Sequence, residues 1–486
     1  MSAASTSPYR PEPRIQELGS EFYDPVHPAS FPSSVLRFRN HALAQQLGFA
    51  SLDDAAWVRH FALFEPLPNN IPTPLALRYH GHQFGSYNPD LGDGRGFLFA
   101  QVRDDFGALL DLGTKGSGQT PWSRAGDGRL TLKGGVREVL ATAMLEALGV
   151  KTSRTLSLVE TGEKLYRGDE PSPTRSSVLV RVGHSHLRFG TFQRIASMAA
   201  TVGEAPAVEA THKLVNYTIS HYFPELESVA DSSGRAVALL DCIVQKTADL
   251  TAEWMTAGFC HGVLNTDNMT VTGESFDYGP YRFVPTCDPG FVAAYFDHAG
   301  RYAFGQQPAV ALWNLTRLAE ALTRVARAAA LEAPLHTFEQ RYTSAKTARM
   351  LSRLGLHPTN NQERDRALAD AAWRFLERSR IGFEQFFFDV YGGPVRAGRA
   401  LRGPARSLYT GTEWTQFQTL LREFEPAPHA LDPHPYFQCD GPCTLLIDEI
   451  EAIWERIDAV DDWHLFNAKL SEIRSMTTAL ALARRS

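Results

Sequence analysis

No run of uninterrupted apolar residues in this 486-residue sequence is long enough to span a bilayer, so no transmembrane helix is expected. An apolar h-region is also missing from the Ser- and Pro-rich start, Met1 to about Ser34, and nothing there reads as a secretory signal. Cysteine is scarce. Cys242, Cys260, Cys287, Cys439 and Cys443 are odd in number and mostly scattered, unlike a disulfide framework, and a reducing compartment is the simplest reading. A strong charge of either sign is absent too: the formal net charge of -6 gives no general attraction to nucleic acid or to an anionic membrane, so any phosphate binding must be local. Lysine is rare beside arginine, and the first lysine is Lys115. What remains is a chain of ordinary globular composition, 43% apolar and 21% charged, expected to be cytoplasmic and to act away from membranes and nucleic acid.

The most consequential absence is one side chain. His261-Gly262-Val263-Leu264-Asn265-Thr266-Asp267-Asn268 has the frame of the loop H-R-D-x-x-x-x-N, in which an Asp two residues after the His accepts the substrate proton and an Asn seven after it holds a metal ion. Asn268 falls at the metal position, but Val263 stands where the base belongs. Asp277-Tyr278-Gly279 then stands where D-F-G would supply a second metal-binding carboxylate. Nucleotide-metal binding looks retained and ordinary phosphoryl transfer disabled. Asp267 is the remaining carboxylate in the loop and the best replacement base, or else a turn-forming Asp that orders it.

Along the chain, Pro8 to Ser34 should run over the surface as extended chain. A helix is expected over Ser51 to Leu63 with Ser51 as its N-cap. Gly96 to Val102, Ala108 to Leu112, Leu156 to Glu160 and Val178 to Val182 read as strands, and Gly135 to Leu148 as a helix stopped by Gly149. Beyond about Ala205 the periodicity becomes helical: Leu240 to Trp254, Leu312 to Ala326, Arg364 to Val390 and Cys443 to Leu482. No internal repeat is present. The expected fold is α+β, with a β-rich N-terminal lobe, an α-rich C-terminal lobe and a nucleotide cleft between them.

Several segments could line that cleft. Leu91-Gly92-Asp93-Gly94-Arg95-Gly96 is either a hairpin turn or a place where backbone N–H groups approach phosphate oxygens, with Arg95 as an added donor. Lys115 ends a strand and Glu138 lies on the next helix, the positions of a strand lysine and its helix glutamate, although both also fit a solvated surface. Gly113-Thr114-Lys115-Gly116-Ser117-Gly118 is not a P-loop, because the lysine does not follow the second glycine of G-x-x-x-x-G-K-[ST]. Lys133 is the rival lysine. Asp127-Gly128 is a turn near the lysine loop, and Arg181 and Arg188 suit a polyphosphate, though surface arginines are common in this chain. His80 with His82 and His184 with His186 alternate as metal pairs do, but no Cys or carboxylate cluster completes a zinc set. Cys439-Asp440-Gly441-Pro442-Cys443 lacks C-x-x-C spacing and reads as a turn.

With those residues in view, the chain resembles the selenoprotein O family of pseudokinases, which includes bacterial members without selenium. The resemblance runs from about Arg78 to about Pro308. It rests on Tyr79-His80-Gly81-His82-Gln83-Phe84-Gly85, Leu112 to Pro121, Ser185-His186-Leu187-Arg188-Phe189-Gly190, the His261 loop and Asp277-Tyr278-Gly279-Pro280-Tyr281. It implies a protein-kinase-like two-lobed fold, with residues 1–75 as an extension wrapping the core, 76–204 as the N-lobe and 205–486 as the C-lobe. It also implies ATP bound in a flipped orientation and AMP transferred to Ser, Thr or Tyr hydroxyls of proteins, self-modification included, with pyrophosphate leaving. Gly92, Gly94, Arg95, Lys115, Asp127, Gly128, Arg181 and Arg188 would bind nucleotide, with Glu138 supporting Lys115. Asn268 and Asp277 would hold Mg²⁺, or Mn²⁺, and Asp267 would act as base.

The chain departs from relatives that carry a C-terminal C-x-x-C or selenocysteine, since it ends Ala481-Leu482-Ala483-Arg484-Arg485-Ser486. The region after Arg396 departs as well, so the choice of protein substrate does not carry over. An ordinary protein or small-molecule kinase using Asp267, a binding-only nucleotide sensor, and uridylyl transfer from UTP stay open as alternatives.

Overall fold

The computed structural model describes residues 7–168 and 170–482. The last four residues of the expected tail, Ala483-Arg484-Arg485-Ser486, and the first six of the start therefore lie outside the described residues. The N-terminal part is built on one antiparallel sheet. Its strands are β1 (Tyr23–Pro25), β2 (Val35–Arg39), β3 (Leu75–Leu77), β6 (Leu98–Arg103), β7 (Leu109–Lys115), β8 (Leu130–Thr131), β9 (Arg154–Leu165) and β10 (Thr174–Gly183), while β4 (Gly81–Gln83) and β5 (Ser86–Asn88) form a separate hairpin. The order is β1-β3-β6-β7-β10-β9-β2, with β8 pairing to β10.

Period-two alternation decides which residues face the site. On β10, Val178, Val180 and Val182 point to one face, where they pack with Trp57 and Phe61 of the helix Asp54–Phe61. Leu179 points to the other, toward Val136, Val139 and Leu140 of the helix Leu132–Ala147. The same split holds on β7, whose Leu110 and Leu112 join the first cluster. Gly113 and Lys115 therefore share a face with Leu179 and Arg181, and the register seats Lys115 opposite Leu179 and Gly113 opposite Arg181.

Three expectations need correction. The helix expected from Ser51 starts at Asp54, because the Asp53 carboxylate accepts the Ala56 N–H at 2.7 Å and is the cap. The helix expected from Gly135 starts at Leu132, because Thr131 caps it through the Gly134 N–H at 3.1 Å. The segment read as surface chain from Pro8 to Ser34 is partly core: Ile15, Leu18 and Phe22 are buried, and Tyr23–Pro25 is a strand of the sheet.

Beyond residue 204 the described chain is mostly helical. The helix Ser232–Thr256 is buried along Leu240, Ile243, Val244 and Trp254 and delivers the chain to the His261 loop. The helix Gln307–Leu322 supports that loop from beneath, Gln307 Oε1 accepting the His261 N–H at 3.0 Å and Asn314 Nδ2 donating to the Leu264 carbonyl at 2.9 Å. The C-terminal helices Ile447–Val460 and His464–Leu480 return to the N-terminal half, where Glu451 pairs with Lys133 at 2.7 Å. That pairing turns the rival lysine away from the cleft. Among the described residues no helix is long and apolar enough to cross a membrane.

Candidate active site

A cleft of about 780 Å³ opens beside the C-terminal end of β7. Lys115 reaches it from the strand end. Its ammonium donates to Glu138, which rises from the helix Leu132–Ala147, and to Asp277 Oδ1 at 2.6 Å. Both members of the Lys115–Glu138 pair are buried, so removing either would leave an uncompensated buried charge. Arg181 approaches Asp277 from the neighbouring strand at 3.9 Å, and its buried Nε and Nη1 have no hydrogen-bond partner.

The glycine-bearing segment lies across the cleft. A Cβ on Gly92 would overlap the Trp122 ring, and one on Gly96 the Thr114 carbonyl, so the backbone passes closer to its neighbours than any other residue permits. Arg95 is exposed at the mouth, and its carbonyl accepts the Gly116 N–H at 2.6 Å. Asp127 and Gly128 form the far lip. There the Asp127 carboxylate is bridged by Arg167 at 2.8 Å, and Gly128 lies in the left-handed region at φ +69°.

The floor is the loop that follows His261. His261 is buried, with Nε2 on the Phe276 carbonyl at 2.9 Å, which ties the loop to the Asp277 segment. Asn268 donates Nδ2 to the Val263 carbonyl at 3.0 Å, leaving its amide oxygen as the free end. Asp277 adopts φ +63° and is half-buried. Burial opposes its charge, but Lys115, Arg181, Arg95 and Arg188 together hold its pKa well below the ordinary carboxylate range. Asp267 is the opposite case. Burial pushes its pKa up to about 6 against the pull of Arg188, and its Oδ1 is buried without a hydrogen-bond partner.

Arg188 stands just before the helix Phe189–Ser197 and binds the two halves of the site together. Its guanidinium donates to the Asp267 carbonyl at 3.0 Å and to Asp93 Oδ1 at 2.9 Å while lying 4.2 Å over the Tyr79 ring. Gly92, Gly94, Arg95, Lys115, Asp127, Gly128, Arg181, Arg188, Asp267, Asn268 and Asp277 all line this one cleft, and Glu138 lies behind Lys115.

Other lining residues went unassigned in the sequence. Asp93 anchors Arg188, and Tyr79, Gln83, Trp122 and His186 complete the wall. The β4–β5 hairpin presses on the floor: the His82 N–H donates to Thr266 Oγ1 at 2.7 Å, and a Cβ on Gly81 would stand 2.9 Å from Asp267 Oδ1. The only sequence signal for that contact was the density of glycine and polar residues in Tyr79 to Gly85. Among the described residues no group of three or more His, Cys, Asp or Glu side chains is arranged to hold a metal ion. The Asn268 amide oxygen and the ionised Asp277 carboxylate are nonetheless hard oxygen donors of the kind that magnesium takes together with phosphate oxygens.

Residues 6–474 match the family model described as protein adenylyltransferase SelO. The chain is 45% identical over 479 residues to a protein nucleotidyltransferase YdiU of Synechocystis sp., covering 96% of this chain and 98% of that one. Proteins of the same description from Synechococcus elongatus and Gloeobacter violaceus are 49% and 44% identical, covering 96% and 95% of this chain and 95% and 94% of theirs.

Proposed function

The chain belongs to the SelO family of protein adenylyltransferases, and we propose that it transfers AMP from ATP to Ser, Thr or Tyr hydroxyls of proteins. The observation that carries the reading is the pairing of Val263 with Asp267. The position that would serve a γ-phosphate acceptor is apolar, while a buried carboxylate with an unpartnered oxygen among the described residues lies four residues on, near Arg188. In this reading the acceptor oxygen bonds to the α-phosphorus, the bond from that phosphorus to the β-phosphate bridging oxygen breaks, and pyrophosphate leaves. The hydroxyl proton passes to Asp267.

Lys115, held by Glu138, would join Arg181, Arg188 and Arg95 in neutralising the polyphosphate, with the backbone at Gly92 and Gly94 close enough to contact it. Asp127 and Gly128 would border the nucleotide at the far lip. Asn268 and Asp277 would hold Mg²⁺, or Mn²⁺, whose charge would further neutralise the phosphates. We read the fold as protein-kinase-like and two-lobed, with residues 1–75 as the wrapping extension, 76–204 as the N-lobe and 205–486 as the C-lobe. The buried strand lysine and helix glutamate support that reading.

UTP as donor is the second reading, favoured by the broader word nucleotidyltransferase that the relatives carry. The test is label position. With Mg²⁺ and ATP labelled on the α-phosphorus, label should enter this protein itself or proteins of a cell extract, with pyrophosphate released; label arriving only from the γ-phosphorus would establish a kinase. Substituting α-labelled UTP decides between the two nucleotides.

A further inference from the structure

We propose that the exposed aromatic surface formed by the β4–β5 hairpin and the segment 292–302 is where the acceptor protein docks. It takes an extended segment that carries a bulky apolar side chain and an acidic residue near the modified hydroxyl. The inference rests on the nucleotidyl-transfer reading above and extends it to the choice of substrate.

The surface is continuous with the catalytic loop. The Phe84 N–H donates to Asn265 Oδ1 at 3.3 Å and to Tyr302 Oη at 3.1 Å, and Tyr302 Oη donates to the same Asn265 oxygen at 2.5 Å. Asn265 is two residues from Asp267. Phe84 is thereby tied to the loop that carries the carboxylate the acceptor hydroxyl must reach.

The surface is also uncovered. Phe84 is 44% exposed, Phe296 41% and Tyr295 75%, and their rings run in sequence at centroid distances of 6.0 and 5.1 Å. Scattered exposed aromatics are ordinary, but three in a row on segments hydrogen-bonded to the loop that carries Asp267 mark an interaction surface. Phe84 adopts φ +50°, a conformation rare for a bulky side chain, and it is held there by the two hydrogen bonds to its N–H.

The charge at this surface points to the partner's chemistry. Arg301 lies over the Trp313 ring at 4.8 Å and beside Gly85, and no carboxylate pairs with its guanidinium among the described residues. The nearest acid in sequence, Asp297, spends its oxygens on the backbone N–H groups of Arg301 and Tyr302 at 3.0 and 2.7 Å. An acidic residue on the incoming segment would supply the missing partner, while an aromatic or aliphatic residue covers Phe84 and Phe296.

The test uses the full chain with Mg²⁺, α-labelled ATP and positional-scanning peptides centred on Ser, Thr or Tyr. The unsubstituted protein should favour peptides with aromatic or aliphatic and acidic flanks. The double variant Phe84→Ser, Phe296→Ser should lose the apolar preference by about tenfold. Arg301→Glu should invert the charge preference from acidic to basic flanks, a gain that misfolding does not produce. All variants should retain the parent's melting temperature and ATP affinity. Uniform use of all peptides by the unsubstituted protein, or preferences that survive in both variants, would overturn the docking assignment alone. So would a dimer that dissociates in the double variant while peptide preference stays, since the surface would then belong to a second copy. If the unsubstituted protein moves α-label to no peptide and not to itself, the transfer reading fails and the docking assignment falls with it.

Discussion

Asp93 and Asp267 are joined through a single side chain: the Arg188 guanidinium donates to a carboxylate oxygen of the first and to the backbone carbonyl of the second. The glycine-bearing segment and the catalytic loop are thereby set at a fixed separation by one planar fork. A lysine has one point of charge and no such fork. Arg188→Lys should weaken ATP binding and lower kcat together, and Asp93→Asn should reproduce part of the loss. Calorimetry with ATP and single-turnover transfer check this, and unchanged constants in both variants would separate Arg188 from the site.

Lys115 and Glu138 answer to stability and to function separately. Removing one partner of a buried pair costs about 3–5 kcal/mol, because the other charge is left unpaired, whereas replacing both by apolar groups is close to neutral. Lys115→Met should therefore destabilise the protein, and Lys115→Met with Glu138→Leu should recover the part due to Glu138 but not the part due to Asp277, which also loses its Lys115 contact. Neither should bind ATP well. Urea unfolding paired with calorimetry tells the two effects apart, and a double variant that binds ATP as the parent does would remove Lys115 from the nucleotide site.

Asp267 is a carboxylate held in an unfavourable place, with one oxygen unpartnered and its pKa raised by burial. Asp267→Asn should leave the melting temperature unchanged or higher and lower kcat by about a hundred- to ten-thousand-fold, the range expected when a general base is lost. ATP affinity should stay within a few-fold of the parent. Full activity in this variant would return Asp267 to ordering its loop.

Gly81 tests the same carboxylate from the opposite side. A Cβ there would stand 2.9 Å from Asp267 Oδ1 and 3.2 Å from Thr266 Oγ1, so Gly81→Ala must displace Asp267 or the hairpin. The expected result is a fall in kcat with little change in ATP affinity. Normal transfer kinetics would mean that the base tolerates displacement and does not need this packing.

A pH effect is expected far from the cleft. Arg175 contacts Glu160 at 2.7 Å and Asp461 at 2.7 Å, and Arg37 joins both carboxylates. Burial opposes the ionisation of each acid, but the arginines outweigh it, holding Glu160 below its ordinary value and Asp461 down to about 2. A depressed pKa favours the ionised fold, so the contribution is whole above the unfolded carboxylate values and drains away as pH falls toward about 2. Urea midpoints measured between about pH 5 and pH 2 should drop less steeply in Glu160→Gln than in the parent. Equal slopes would mean that this network carries no linkage.

Much of the site's composition was legible because loops and strand ends keep chemistry at fixed spacing. Asn268 and Asp277 could be located from the frame that His261 sets, and Lys115 and Glu138 from a strand end and the next helix. Period-two alternation also accounts for Arg181 sharing the Lys115 face. Asp93, Gln83 and Trp122 were not legible, because their places depend on contacts between distant segments, and spacing along one segment says nothing of what packs against it. The helix starts failed for a local reason: Asp53 and Thr131 compete with other plausible caps, and only the backbone geometry decides which oxygen reaches an N–H. The burial of Ile15 and Leu18 was hidden by the prolines around them, which break regular structure without forcing a segment to the surface.

β2 pairs only with a strand that the ribosome makes much later in the chain. β1 and β2 sit at opposite edges, β1 on β3 and β2 on β9, with Val35 opposite Glu160. β1 can pair once Leu75 to Leu77 has been made, but β2 must wait, unpaired, until Arg154 to Leu165 has been synthesised. Until β2 docks, β9 has no neighbour on its outer side, and an unpaired strand edge invites pairing between chains. An N-terminal truncation past Arg39 would make that transient condition permanent, and its expected signature is loss of recoverable protein during expression rather than a folded enzyme with lowered turnover.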